Sequence, residues 1–242
     1  MSIIIPNSTE IESFGAKFEE SKDWHDGCIE SEESMMFYLI SDTHFNHANM
    51  ETYCLRPANF TELLIQRWKE TVKPEDVVIH LGDVAIGKKP LAMEIIRSLP
   101  GKKWLVRGNH DRDKSCGWWV ENGFDMACDT FIFRHVLLTH EPANAVIRAN
   151  GNKPYEPSAY EGLPEGCELN IHGHLHNIWD GFHSPERLER DKELLGIDPT
   201  KQLKYPWQRL FAVEYTDYRP VEFNKFVGNP DRYQAKGPKK NV

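Results

Sequence analysis

No stretch of this 242-residue chain stays apolar for the roughly 18 residues that a membrane-spanning helix needs. Its mean hydropathy is −0.58. The opening string Met-Ser-Ile-Ile-Ile-Pro lacks the basic and long apolar regions of a secretory leader, so none is expected. Cysteine is scarce. Cys28, Cys54, Cys116, Cys128 and Cys167 are five in number and never spaced Cys-x-x-Cys. That pattern argues against a disulfide frame or a zinc ribbon, and for reduced thiols in a cytoplasmic protein. Positive charge is short as well: 29 Lys and Arg stand against 37 Asp and Glu, a net charge of −8. An anionic membrane and extended nucleic acid are therefore not expected as partners. No internal repeat is visible, and nothing in the sequence fixes an oligomeric state.

What is present is ordinary in bulk, with 40% hydrophobic and 27% charged residues. The length suits one large domain, or two small ones, with a real core. Residues 1–34 stand apart. Between Glu10 and Glu33 there are nine acidic residues and two lysines, which reads as an acidic extension. Residues 35–228 read as the main domain, and 229–242 as a polar, basic tail.

In the main domain one pattern recurs. A short apolar run ends in a turn carrying Asp, Asn or His. Met36–Ile40 leads to Ser41-Asp42-Thr43-His44, and Val77–Leu81 to Gly82-Asp83. Trp104–Val106 leads to Arg107-Gly108-Asn109-His110-Asp111. Val136–Leu138 leads to Thr139-His140, and Leu169–Ile171 to His172-Gly173-His174-Leu175-His176. Such runs predict buried strands. Thr61–Thr71, opened by a Thr cap, and Pro90–Ser98, with Met93, Ile96 and Leu99 at helical spacing, predict helices between them. Alternating strands and helices give an α/β protein whose functional groups gather beyond the carboxyl ends of the strands. Glu141–Glu168 carries four prolines and reads as a long loop, Gly181–Lys201 as charged and partly helical, and Arg209–Tyr215 as a further strand.

The turns offer Asp42, His44, Asp83, Asn109, His140, His174 and His176. These mixed oxygen and nitrogen donors suit manganese, iron, nickel or zinc, with manganese favoured here. Seven donors are too many for one ion and suit two, provided one carboxylate bridges. Two such ions can hold a hydroxide between them and clamp the oxygens of a displacement at phosphorus.

In order and spacing these strings resemble the five motifs of the calcineurin-like metallophosphoesterases. The longer strings Ser-Asp-Thr-His-Phe-Asn-His, Arg56-Pro57, His80-Leu81-Gly82-Asp83 and Val213-Glu214-Tyr215 to Tyr218-Arg219-Pro220 resemble a small bacterial and phage branch. The resemblance covers about Met35 to Phe226. It implies a two-sheet αββα sandwich with the metals at one end. It implies that Asp42, His44 and His176 hold one ion, that Asn109, His140 and His174 hold the other, and that Asp83 bridges them. It also implies that His110 is the general acid, oriented by Asp111. The expected activity is hydrolysis of a small phosphate ester, a nucleotide among the candidates. A phosphodiester is the first choice; a phosphomonoester, nuclease or inactive-scaffold role are the alternatives.

The remaining expectations are local. Arg56, Arg107 and Arg112 are candidates to hold the phosphate through a bidentate fork. His80 and His172 should face a sheet interior or support ligands from behind, and His47 should serve local structure. Of Trp118 and Trp119, adjacent in sequence, at least one should be core, and Trp179 should pack in the core near the pocket. Phe211-Ala212 stands where this branch would be expected to carry an Asn.

Overall fold

The computed structural model describes residues 35–87, 89–143, 146–147, 156–157, 163–177 and 207–228. The expectations for the acidic extension, the tail, Gly181–Lys201, Cys28 and Trp179 lie outside the described residues. Those from Met36 onward belong to one compact unit.

The apolar runs become the strands of two sheets. In the first, β1 (Phe37–Ile40), β2 (Val77–His80), β3 (Lys102–Val106) and β4 (Met126–Cys128) run parallel. In the second, β5 (Phe131–Phe133) pairs antiparallel with β6 (Val136–Leu138). The pair β7 (Val146–Ile147) and β8 (Glu156–Pro157) forms a separate ribbon inside the stretch expected to be loop. Beyond it, β9 (Leu169–His172) lies between β6 and β10 (Gln208–Leu210), parallel to both. The last strand, β11 (Val221–Glu222), returns antiparallel to the free side of β1. The orders are β11-β1-β2-β3-β4 and β10-β9-β6-β5. β2 and β9 are buried at every position, as central strands of parallel sheets should be.

The sheets face each other across one core. The Phe37 ring lies 4.8 Å from Phe133, and Trp104 lies 5.6 Å edge-on from Phe131. Leu39, Ile79, Leu105 and Val106 of the first sheet share a cluster with Val136, Leu138, Ile171 and Phe211 of the second. Phe211 packs on Phe226, which is what the position expected to be Asn does here.

The helices pack into the same core. α1 (Met50–Tyr53) is a single turn. α2 (Phe60–Thr71) buries Phe60, Leu64 and Trp68, and α3 (Lys89–Ser98) buries Ala92, Met93 and Ile96. α4 (Cys116–Glu121) buries Trp119 but leaves Trp118 half-buried; α5 (Phe223–Gly228) closes the described chain.

Two local expectations are corrected. Thr61 does not cap α2. It lies in the first turn, where its hydroxyl accepts the Asn46 N–H at 3.0 Å and ties the helix to the loop after β1. The strand expected over Arg209–Tyr215 stops at Leu210, and Val213–Tyr215 is a 3₁₀ turn. No helix among the described residues is long and apolar enough to cross a membrane.

Candidate metal centre

All five polar turns leave the carboxyl ends of parallel strands, and the two sheets bring them to one end of the sandwich. Their backbones are unusual. Asp42, His44, Asp83, His174 and His176 have φ of 53°, 44°, 56°, 69° and 50°. Left-handed backbone at non-glycine residues costs on the order of 1–3 kcal/mol each and persists only where surroundings enforce it. Here hydrogen bonds between turns enforce it. Asp42 N–H donates to Gly82 O at 2.9 Å and His44 N–H to Asp83 O at 3.1 Å. His174 N–H reaches the Asp42 carboxylate of the opposite sheet at 3.0 Å. The turns pass so closely that three glycines, Gly82, Gly108 and Gly173, have no room for a side chain. A Cβ on Gly108 would collide with the Asp83 carboxylate, and one on Gly173 with Asp42 and Ser41.

The side chains converge in two groups. In the first, Asp42 Oδ1 lies 4.0 Å from His44 Nε2 and 3.6 Å from His176 Nε2. In the second, Asn109 Oδ1 lies 3.0 Å from His140 Nε2 and 3.1 Å from His174 Nδ1. Asp83 stands between them, its Oδ2 3.6 Å from His44 Nε2 and 3.3 Å from His140 Nε2. The sets Asp42–His44–His176 and Asp83–His140–His174 each fit one cation by the spacing of their donor atoms. His44 supplies an independent sign. It is buried, yet neither ring nitrogen has a hydrogen-bond partner. Buried polar atoms are rarely left so, and a metal is the ordinary explanation for an imidazole among carboxylates. The residues therefore fit a pair of divalent ions.

The electrostatics agree with a cation site. Burial works against charge at His140, but Asp83 lifts its imidazole to about 10. Asp83 is held well below its usual range against burial, chiefly by His140. Burial lowers His44 well below the usual imidazole range and also lowers His174, where His140 adds to the effect. Such opposed shifts mark a packed donor set in which protons and metal compete.

Groups behind the ligands fix their orientation. His140 Nδ1 lies 2.7 Å from Leu81 O, so its Nε2 faces the centre. His80 accepts Gly82 N–H at Nδ1, and its Nε2 meets the Thr43 hydroxyl, which donates to Val84 O. His172 Nδ1 lies 3.0 Å from Gly173 O. Both histidines are wholly buried behind the ligand turns.

Several site expectations need correction. Asp111 does not orient His110. Its carboxylate is wholly buried and accepts the N–H groups of Asp83 at 2.7 Å, Gly108 at 2.9 Å and Val84 at 3.1 Å. It holds the Asp83 loop instead. Arg56 is not poised for substrate. Its side chain is fully buried, with Nε and Nη2 on Glu214 Oε1 at 2.9 and 2.7 Å and other N–H groups on the carbonyls of Asp42 and Thr43. Arg107 is likewise engaged, forked onto Asp129 and donating to Lys114 O. Arg112 forks onto Glu141, beside His140, at 2.7 and 2.8 Å. A strand-end arginine in a sequence does not disclose that a carboxylate from another loop already holds it.

Two histidines border the centre. His110 is exposed, with Nε2 3.9 Å from Asp83 Oδ2 and its ring 5.8 Å from His44. The His47 ring lies 6.0 Å from His44. Trp119 is core and donates its indole N–H to Asp111 O. The residue that sequence reasoning passed over is Glu214, buried beside Arg56, with Oε1 3.3 Å from His176 Nδ1. The string Val213-Glu214-Tyr215 carried the branch resemblance, but nothing in it disclosed that Glu214 meets Arg56 and His176.

Comparison with known sequences and structures places these residues in context. The sequence profile of the calcineurin-like phosphoesterase superfamily domain matches residues 35–199. The chain is 46% identical over 81 residues to the uncharacterized protein MJ1445 of Methanocaldococcus jannaschii, covering 31% of this chain and 46% of that protein. It is 35% identical over 79 residues to the gene 66 protein of Mycobacterium phage D29, covering 31% of this chain and 40% of that one. The chain thus spans less than half the length of these two curated relatives. A crystal structure of a protein of unknown function, AQ665 of Aquifex aeolicus, superposes with a TM-score of 0.52 at 26% identity. That match covers 81% of this chain and 99% of AQ665.

Proposed function

The chain belongs to the calcineurin-like phosphoesterase superfamily, a family of metal-dependent phosphoesterases, and we propose that within it this protein hydrolyses small phosphodiesters, a nucleotide ester being one candidate substrate. Divalent ions, of which we favour two manganese, would be held by Asp42, His44 and His176 and by Asn109, His140 and His174, with Asp83 between. Bound there, they supply Lewis acidity for activating water and neutralising phosphoryl charge.

The chain's own residues do the rest. Asp83 holds the two donor groups in register. The exposed His110 imidazole stands at the border of the centre, where it can pass a proton to a departing ester oxygen. The observation that favours a diester is the state of the arginines. Arg56, Arg107 and Arg112 each fork onto a carboxylate, so none brings an uncommitted positive charge to a phosphate. A monoester dianion gains most from such a charge, and a diester monoanion needs it least. A proton donor at His110 helps most where the departing oxygen belongs to a weakly acidic alcohol.

The test is metal analysis of the pure protein followed by kcat/KM on bis-p-nitrophenyl phosphate and p-nitrophenyl phosphate. We expect two ions per chain and a preference for the diester. A preference for the monoester would overturn the diester assignment.

A further inference from the structure

Arg56 and Glu214 lie 158 positions apart, yet they form a buried ion pair that reaches two members of the first donor group, Asp42 and His176. Arg56 Nη2 donates to Asp42 O at 2.7 Å, and Nη1 to Thr43 O at 3.0 Å, between Asp42 and His44. Both flanking ligands have left-handed backbone, so the guanidinium pins the turn that orients them. Glu214 Oε1 faces His176 Nδ1 at 3.3 Å, and Cys54 Sγ stands beside both.

The hydrogen count decides the His176 tautomer. Arg56 Nη2 carries two hydrogens, and Asp42 O and Glu214 Oε1 take them, each at 2.7 Å. None remains for His176 Nδ1, 3.4 Å away. His176 Nδ1 therefore donates to Glu214, which makes Nε2, on the Asp42 side, the nitrogen that gives up its proton to ligate. Arg56 also sets its guanidinium against Glu214, with two N–H groups on Oε1 at 2.9 and 2.7 Å. The second group has no such device among the described residues. His140 Nδ1 is turned by a neutral carbonyl, Leu81 O.

We infer that Glu214, held by Arg56, is the positioning residue of the Asp42–His44–His176 site, so that the pair controls the affinity of that site alone. This rests on the two-ion reading above. A carboxylate behind a ligating imidazole fixes its tautomer and raises its basicity, and its loss typically costs about 10- to 100-fold in metal affinity.

The experiment is calorimetric titration of EDTA-stripped protein with Mn²⁺ alone. Wild type should bind two ions; fewer would overturn the two-ion reading itself. Glu214→Gln should weaken one ion by about 10- to 100-fold and leave the other unchanged. Unchanged affinities, or equal weakening of both ions, would overturn the inference. Because that variant leaves the buried Arg56 without its carboxylate, Arg56→Gln/Glu214→Gln serves as the second test. It should show the same one-sided weakening, and two tightly held ions in it would overturn the inference. A cycle separates positioning from general support. In a His176→Ala background, Glu214→Gln should add no further loss of Mn²⁺ affinity, and a further loss as large as in wild type would show that it does not act through His176.

Discussion

The backbone N–H of Asp83 donates to the Asp111 carboxylate at 2.7 Å, which makes the residue next to His110 the anchor of the Asp83 turn. The same oxygen accepts from Gly108, and the other from Val84. Burial and the nearby Asp83 carboxylate raise Asp111 to about 7, against the pull of these amides. Asp111→Asn replaces one acceptor by a donor facing an N–H. Hydrogen bonds to a buried charged group are worth about 1.5–3 kcal/mol. We expect a stability loss of that order, less bound metal and equal rate losses on all esters. Differential scanning calorimetry with metal analysis checks this, and a normal melting temperature would remove the anchor role.

For Asp83→Asn we expect loss of at least one metal equivalent and of nearly all turnover. Asparagine keeps the shape but not the charge beside His44 and His140. Two tightly held ions and normal rates in this variant would sink the bridging assignment.

His110→Asn should keep both ions, because its ring lies outside both donor groups. General acid catalysis is typically worth about 10² to 10⁴ in rate. We expect a loss of that size on a sugar-alkoxide ester and a much smaller one on a p-nitrophenyl ester, whose phenolate leaves unaided. Equal losses with intact metal would take His110 out of the acid role.

Metal uptake should release protons. The His140 imidazole is lifted to about 10 by Asp83, and His176 is raised, against burial, chiefly by Asp42. At pH 7 these rings shed protons as they ligate, so affinity should fall as pH falls. Titrations in two buffers of different ionisation enthalpy report the number released. At free Mn²⁺ of 100 times Kd the folded state should gain about 2.7 kcal/mol per site. A melting temperature indifferent to both Mn²⁺ and EDTA would contradict the site.

Acid should destabilise the fold through the supporting histidines. Burial lowers His80 to about 3 and His172 to about 4, against 6.5 for an ordinary imidazole. Below pH 6.5 the unfolded chain takes up protons that the folded chain refuses. The stability these rings contribute is therefore complete above 6.5 and is lost as pH falls toward 4, on the order of 3 kcal/mol for His172. Urea midpoints between pH 7 and 5, measured with EDTA present, should fall more steeply in wild type than in His172→Gln. Identical slopes would count against the assignment.

The sequence showed the sheets well because each polar turn follows a short apolar run, and β1, β2, β3, β6 and β9 all appear where such runs lie. The donor set was legible for the same reason, as chemistry at strand ends. What was hidden is what depends on distant partners. Asp111 looked like a companion of His110 because it is adjacent, but adjacent side chains in a turn diverge, and its partners are amides up to 28 positions away. Arg56 looked like a phosphate ligand because its partner Glu214 lies 158 positions on. Local pattern finds donors, whereas orientation is a property of the tertiary structure.

The left-handed backbone at five of the proposed ligands also limits which elements the protein can take up. Aspartate, asparagine and histidine are the non-glycine types best suited to that conformation. Cysteine and glutamate, though good donors, fit it poorly. A drift toward thiolate ligation, and with it toward softer ions, would first require remaking the turns. The turn geometry thus favours oxygen and imidazole donors, the set that suits hard and borderline cations.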